Sequence, residues 1–317
     1  MRLNILAAAV AVALAGSSAS AQESIVQGAS SSGHTTFQIM TGWSSVINRE
    51  VPEVSMTVQA SGPSVPTTQL VQQGRIQAGP AGNSAPYEAV RSIANFEGQP
   101  KADKVRTWMP IYVYGAQLVV PAESDVQDWT DLEGLRVGVG SVGSVGEQTN
   151  KVILETLGVG YDKIDEYQIG HGEMVAGLKN GTLDAIIETT GIPTAGVLEL
   201  EATRDIRIVG LTDEQIEAVD AASDLLSGGV VPAESYQSTD ADVPIIVGYT
   251  INIINADVDE DLVYKMTKAL WENLDELENV HPSQKYLTPD WLQASLLPIA
   301  PLHPGAERYY NEQGWLD

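Results

Sequence analysis

The chain has 317 residues, with 17 Lys+Arg against 42 Asp+Glu, a net charge of −25, no cysteine and 43% hydrophobic residues. Its length suggests roughly two domains, and its apolar content is too high for a disordered chain. The missing cysteines exclude disulfides and thiolate nucleophiles or metal sites, while the acidic excess excludes nucleic-acid binding and anchoring on anionic lipid, which need clustered Lys/Arg.

Met1-Arg2 is a basic start, followed by an apolar run from Leu3 to Leu14 and then Ala19-Ser20-Ala21. This is the layout of a secretory signal peptide over residues 1–21, shorter than the roughly 20 apolar residues a permanent span needs. A periplasmic product with no stable membrane anchor is expected.

After Ala21 the chain alternates strands, small-residue loops and helices. A strand at 24–27 leads into the loop Gly28-Ala29-Ser30-Ser31-Ser32-Gly33 and a helix at 36–49. Residues 54–60, Val-Ser-Met-Thr-Val-Gln-Ala, alternate with period two and read as a strand, followed by Ser61-Gly62-Pro63-Ser64 and a helix at 65–73. Arg75 to Gly79 reads as a short strand before a loop at Gly82-Asn83-Ser84. Trp108 to Val120 is apolar enough for one long or two consecutive buried strands. A turn or short helix at 128–132 and a strand at 135–139 precede the loop Gly140 to Gly146 and a helix at 147–157. A strand within 161–169, a helix at 172–179 and strands at 183–188 and 206–209 continue the pattern, the strand at 183–188 running into Thr189-Thr190-Gly191. A β-branched run from Val243 to Ile254 is the last strand. Leu262, Met266, Leu270, Leu274 and Leu277 mark one helix over 257–278, with Asp257 able to cap it. The proline-rich tail from Pro289 should strap over a lobe.

This rhythm is that of an α/β fold with largely parallel sheets. The two long strands near 109–120 and 243–254 suit a hinge between interrupted lobes: lobe 1 from 22–115 and 250–317, lobe 2 from 116–249. The expected fold class is therefore α/β, two-lobed, with hinge strands and a ligand cleft between the lobes.

The small-residue loops all follow strands, where ligands of open α/β sheets lie and where backbone N–H groups and hydroxyls can hold an anion. The candidate ligand residues are Ser31, Ser32, His34, Ser61, Gly62, Ser64, Asn83, Ser84, Gly143, Ser144, Glu188, Thr189, Thr190 and Tyr249. Tyr249 would pair with Tyr112 as an aromatic wall in the hinge. Asp184 and Glu188, four apart in one strand, would share a face, and a carboxylate there would suit a ligand bearing an amine or hydroxyl. Arg75, Arg91 and Arg136 are possible counter-charges or structural arginines. His171, between two glycines, could also face a ligand, whereas His281 and His303, each before proline, suit turns better than a metal. Gly138-x-Gly140-x-x-Gly143 lies too deep in the chain for a dinucleotide fingerprint, and Gly143-Ser144-Val145-Gly146 is no nucleophile elbow. No catalytic residue, metal site or cofactor is expected.

The stretch Asp261-Leu262-Val263-Tyr264-Lys265-Met266-Thr267-Lys268-Ala269-Leu270-Trp271-Glu272-Asn273-Leu274-Asp275-Glu276-Leu277 with His281-Pro282, and the block from Pro301 to Tyr310 with Glu312 and Gly314, carry a family resemblance. The chain resembles the solute receptors of TRAP transporters, specifically the TAXI subfamily, over essentially all of its length after Ala21. The resemblance implies a two-lobed periplasmic-binding-protein fold of type II. It also implies capture of a small organic acid or amino-acid-like carboxylate, without turnover, and delivery to a TRAP membrane permease by a monomer. Ser61-Gly62-Pro63-Ser64 stands where the family has Gly-Gly-Ser, Gly143-Ser144-Val145-Gly146 stands for Gly-Ser-Gly-Thr, and Gly191-Ile192-Pro193 keeps the family's Gly-x-Pro. His34 and Phe37 are unusual in the first loop, so the solute can differ from the glutamate-like amino acids and 2-oxoacids associated with the family. The alternatives are a periplasmic sensor of the same fold or, further off, a periplasmic enzyme.

Overall fold

A computed structural model describes residues 22–30, 35–289 and 291–316; the signal-peptide expectation at 1–21 lies outside them. The N-terminal half opens with β1 (Glu23–Ala29), α1 (Thr35–Glu50), β2 (Val54–Ala60), α2 (Ser64–Gln72), β3 (Ala78–Gly82), α3 (Ser84–Arg91) and the long β4 (Val105–Pro121). The middle contains β5 (Arg136–Gly138), α4 (Val145–Thr156), β6 (Asp165–Tyr167), α5 (His171–Asn180), β7 (Ala185–Thr190), α6 (Ala195–Glu201), β8 (Ile206–Val209), α7 (Asp213–Ala222) and β9 (Ser227–Val231). The chain closes with β10 (Val243–Asn255), α8 (Glu260–Trp271), α9 (Leu274–Val280), α10 (Trp291–Ser295) and α11 (Pro304–Glu312).

The strands form one mixed sheet ordered β2-β1-β3-β10-β4-β7-β5-β6, with β8 on β4 and β9 on β10. β1 and β2 pair in parallel, as do β5 with β6 and β5 with β7, which suits strands joined through helices. The long strands β4 and β10 run antiparallel through the middle. Partners change along each of them. On β10, β3 covers 250–254 and β9 covers 243–247. On β4, β7 and β8 cover 115–121. β4 is buried almost throughout, so its unbroken apolar run reads as a strand with both faces covered.

Three sequence expectations shift. The strand placed at 75–79 is instead β3 at 78–82, Ala-Gly-Pro-Ala-Gly. Side chains larger than these would not fit: a Cβ on Gly79 would come within 2.5 Å of the Thr67 side chain. The expected helix over 257–278 divides into α8 and α9 at Asn273, whose φ of −124° leaves the helical region. Asn273 Nδ2 donates to the Ala269 carbonyl at 2.7 Å, and the apolar repeat continues past the break. Asp259, not Asp257, caps α8 by accepting the Leu262 N–H at 3.1 Å.

The tail is tied to β4. Thr107 N–H donates to the Pro301 carbonyl and accepts at its own carbonyl from His303 N–H, both at 3.0 Å. Gln284 accepts from the buried Trp43 indole at 2.8 Å and donates to the Ile111 carbonyl at 2.6 Å. Tyr310 donates its hydroxyl to the Trp108 carbonyl at 2.7 Å. His303 caps α11 by accepting from Gly305 N–H, and His281 likewise accepts from Ser283 N–H, so both serve turns.

Deep in this half, Gln27 on β1 and Asn252 on β10 exchange amide hydrogen bonds at 3.1 and 3.0 Å while both are almost fully buried. Gln27→Leu strands the Asn252 amide without its partner and should lower the unfolding free energy by about 1–3 kcal/mol. Urea denaturation checks this. The double change Gln27→Leu/Asn252→Leu should recover part of the loss, because neither amide is then left unpaired.

Candidate functional site

A cavity of about 280 Å³ opens at the carboxyl ends of β1, β2, β5, β6 and β7. Ser30, Gly62 and Pro63 line it from the N-terminal half, and Gly140, Ser141, Ser144, Val145, Gly146, Gly170, His171, Met174 and residues 187–190 line it from the middle. A smaller annex of about 60 Å³ shares Ser30, Pro63, Ser144 and Val145 with it and adds Thr36, Ser64, Tyr112 and Thr250. Ligands of open α/β sheets lie at this end.

One wall is the N-terminus of α4. Ser144 is its cap, accepting the Glu147 N–H at 3.0 Å. Val145 and Gly146, the first two helical residues, precede the first intrahelical N–H bond, so their N–H groups are available to an anion. Gly140 makes this approach possible. It has φ +95°, and a Cβ there would come within 2.9 Å of the Glu147 nitrogen.

A second part of the lining is ionisable. Glu188 on β7 is 1% exposed, and its Oε2 lies 2.5 Å from Nδ1 of His171 at the start of α5. Its Oε1 is buried without a hydrogen-bond partner among the described residues. The hydrogen bond and charge of Glu188 raise the His171 pKa above its ordinary value; burial opposes the rise, and Glu199 adds a smaller favourable charge.

Of the residues the sequence singled out, Gly62, Ser144, Glu188, Thr189 and Thr190 line the main cavity, and Ser64 lines the annex. The Ser64 hydroxyl accepts from Gly82 N–H at 3.0 Å, and the Thr189 hydroxyl donates to Asn150 at 2.7 Å. Ser31, Ser32 and His34 lie outside the described residues. Ser61 does not line the cavity: its hydroxyl is held between the Ala29 carbonyl and Thr67. Tyr249 packs edge-on against Trp291, with ring centroids 6.1 Å apart, while Tyr112 stands in the annex. Asp184 precedes β7 and is bound to Arg136 at 2.6 Å, so it does not share the role of Glu188. Arg91 is spent on the Pro298 and Ile299 carbonyls.

Asn83, Ser84 and Gly143 occupy a seam between the two sides of the cleft. Asn83 donates to the Leu225 carbonyl at 2.8 Å, Ser84 to Gln148 at 2.7 Å, and Val65 N–H to the Gly143 carbonyl at 3.2 Å. Gly82 meets Val145 in the same seam, where a Cβ would sit within 2.2 Å of the valine side chain. Ser30, Pro63, Ser141, Met174 and Ile187 line the cavity without having been singled out; Ser30, Pro63 and Ser141 carried only the signal of a position after a strand, and Met174 within α5 and Ile187 within β7 carried none. Among the described residues no cluster of His, Asp or Glu could hold a metal ion, and no helix is long and apolar enough to cross a membrane.

Residues 27–314 match the model of the NMT1-like family. MatC from Rhodopseudomonas palustris, solved with bound malate, superposes with a TM-score of 0.57 at 14% identity, over 92% of this chain and 97% of that one. A putative L-cystine ABC transporter from Listeria monocytogenes gives 0.53 at 16% identity, over 84% and 96%. The periplasmic aliphatic sulphonate binding protein SsuA from Escherichia coli gives 0.50 at 13% identity, over 92% and 88%. At such identities the likeness is one of fold, the type II periplasmic-binding-protein architecture.

Because the raised His171 pKa belongs to the folded state, the stabilisation from its pair with Glu188 is complete below about pH 6.5. It fades as the pH climbs through the raised folded value. The stability difference between the wild type and His171→Gln should therefore be larger at pH 6 than at pH 9, as read from urea denaturation at the two pH values.

Proposed function

The chain belongs to the NMT1-like family, and from that premise we propose that it is an exported receptor that closes over a small organic acid and delivers it to a TRAP-type membrane permease. Membership makes it a solute-binding protein of the periplasmic-binding-protein superfamily, a non-catalytic class. The observation that carries the finer reading is the α4 N-terminus in a cavity walled from both sides of the cleft. A carboxylate seated there would meet the Val145 and Gly146 N–H groups and the Ser144 hydroxyl, in a region partly shut off from water where such contacts are strong.

The proposed lobes are 22–115 with 250–317, and 116–249. Their connections would be β4 and β10, near the positions where those strands change partners. Closure needs a solute with higher affinity for the closed form than for the open one. The seam bonds from Asn83, Ser84 and Val65 supply the protein's own part of that closed form. The apolar start of the chain and the family together support a periplasmic location.

A thermal-shift screen of small carboxylic acids should give saturable stabilisation by at least one of them. Ser144→Ala should weaken that acid roughly ten- to a hundredfold, the value of a lost hydrogen bond to a charged group. A flat response to every acid would refute the carboxylate reading. Gly82→Ala inserts a methyl group between the two sides at Val145. It should weaken binding and enlarge the liganded particle measured by small-angle X-ray scattering, while leaving the free protein folded.

A further inference from the structure

Glu188 gives the cavity a property that a second carboxylate or a carbonyl on the solute could not use. It lines the cavity with a side chain that is almost fully buried. One oxygen, Oε2, is occupied by His171, and the other, Oε1, has no donor among the described residues. The neighbouring walls do not supply one. Met174 and Ile187 are apolar. Gln117 directs its amide N–H to the Glu188 backbone carbonyl at 3.5 Å and its amide oxygen to Tyr236 at 2.8 Å. A buried carboxylate oxygen without a donor is costly, so the missing donor belongs to whatever fills the space.

We propose that the His171–Glu188 pair is the specificity determinant of this site, accepting a hydrogen bond from an ammonium or hydroxyl group on the solute and rejecting a solute that presents a carbonyl or second carboxylate there. The inference rests on the organic-acid reading given above, with the solute carboxylate at the α4 N-terminus and its donor at Glu188. Glu188 would touch the solute. His171 is a positioning residue: it holds Oε2 and so fixes the carboxylate of a side chain that lines the cavity. The histidine is itself fixed, since a Cβ on Gly196 would lie only 2.7 Å from its Nε2. The net charge of −25 acts in the same direction, because a dianion is repelled more than a zwitterion or a monoanion.

Isothermal titration of the protein with two matched sets tests this: L-alanine, L-lactate and pyruvate, and L-glutamate, 2-hydroxyglutarate and 2-oxoglutarate. Within a set the members differ at one carbon, which carries an amine, a hydroxyl or a carbonyl. In at least one set the amino or hydroxy acid should bind roughly tenfold or more tightly than the oxoacid, as expected for a hydrogen bond to a buried charge. Glu188→Gln, nearly the same shape, should reduce that ratio to within about threefold while retaining affinity for the oxoacid, which separates lost recognition from lost folding. His171→Asn should weaken the donor-bearing member and leave the oxoacid unchanged. An oxoacid that binds the wild type as tightly as its matched partners would overturn the inference and leave the organic-acid reading standing. So would an unchanged ratio in Glu188→Gln. If no member of either set binds, the organic-acid reading fails, and the inference falls with it. The wild-type ranking decides the matter even if Glu188→Gln does not fold.

Discussion

The antiparallel ladder between β4 and β10 is the constraint on which the rest of the molecule depends. It runs from Val105 opposite Asn255 to Ala116 opposite Ile246, and the other sheet pairings attach to one or other of its ends. Because its strands are long and buried, a slip by one residue would swap the side chains packed on the two faces of the ladder, so its register is tightly set. Its irregularities, between Thr250 and Ile251 and between Asn252 and Ile253, lie where β3 joins. The tail returns to the same ladder through Thr107, Trp108 and Ile111. The loops at the carboxyl ends of β1, β2, β5 and β7 are thereby brought to one cleft.

Within that cleft the two walls differ in chemistry. One offers unspent backbone N–H groups and a serine hydroxyl, the other a buried carboxylate with one oxygen unspent. Such a site is polarised along its length, which suits a solute that is an acceptor at one end and a donor at the other. A protein carrying −25 repels anions at long range, so under the proposed reading the attraction for a carboxylate would come from fixed local dipoles in a site partly shut off from water. Screening shortens the repulsion to about 8 Å at physiological ionic strength.

Much of this architecture was legible in the sequence because it rests on periodicity. The alternation at 54–60 matches β2 to the residue, the apolar run at 108–120 marks β4, and the β-branched run at 243–254 marks β10. β3 was placed three residues early because Ile76 is an apolar signal, whereas the strand itself is Ala, Gly and Pro, selected by close packing with α2. The break at Asn273 was hidden by leucines that keep their spacing across it. At the site, position after a strand was readable but orientation was not. Gly62 and Pro63 face the cavity while Ser61 next to them turns to Ala29 and Thr67. The partner of Glu188 was also hidden, because His171 reaches it through the meeting of α5 with β7 and not through any local motif.

A crystal structure of the complex with the tightest-binding acid tests the central claim most directly. The account predicts the solute carboxylate within hydrogen-bond distance of Ser144 and the first N–H groups of α4, with a donor on the same solute reaching Glu188 Oε1. A solute bound outside this cleft, or one placing its carboxylate against Glu188, would contradict it.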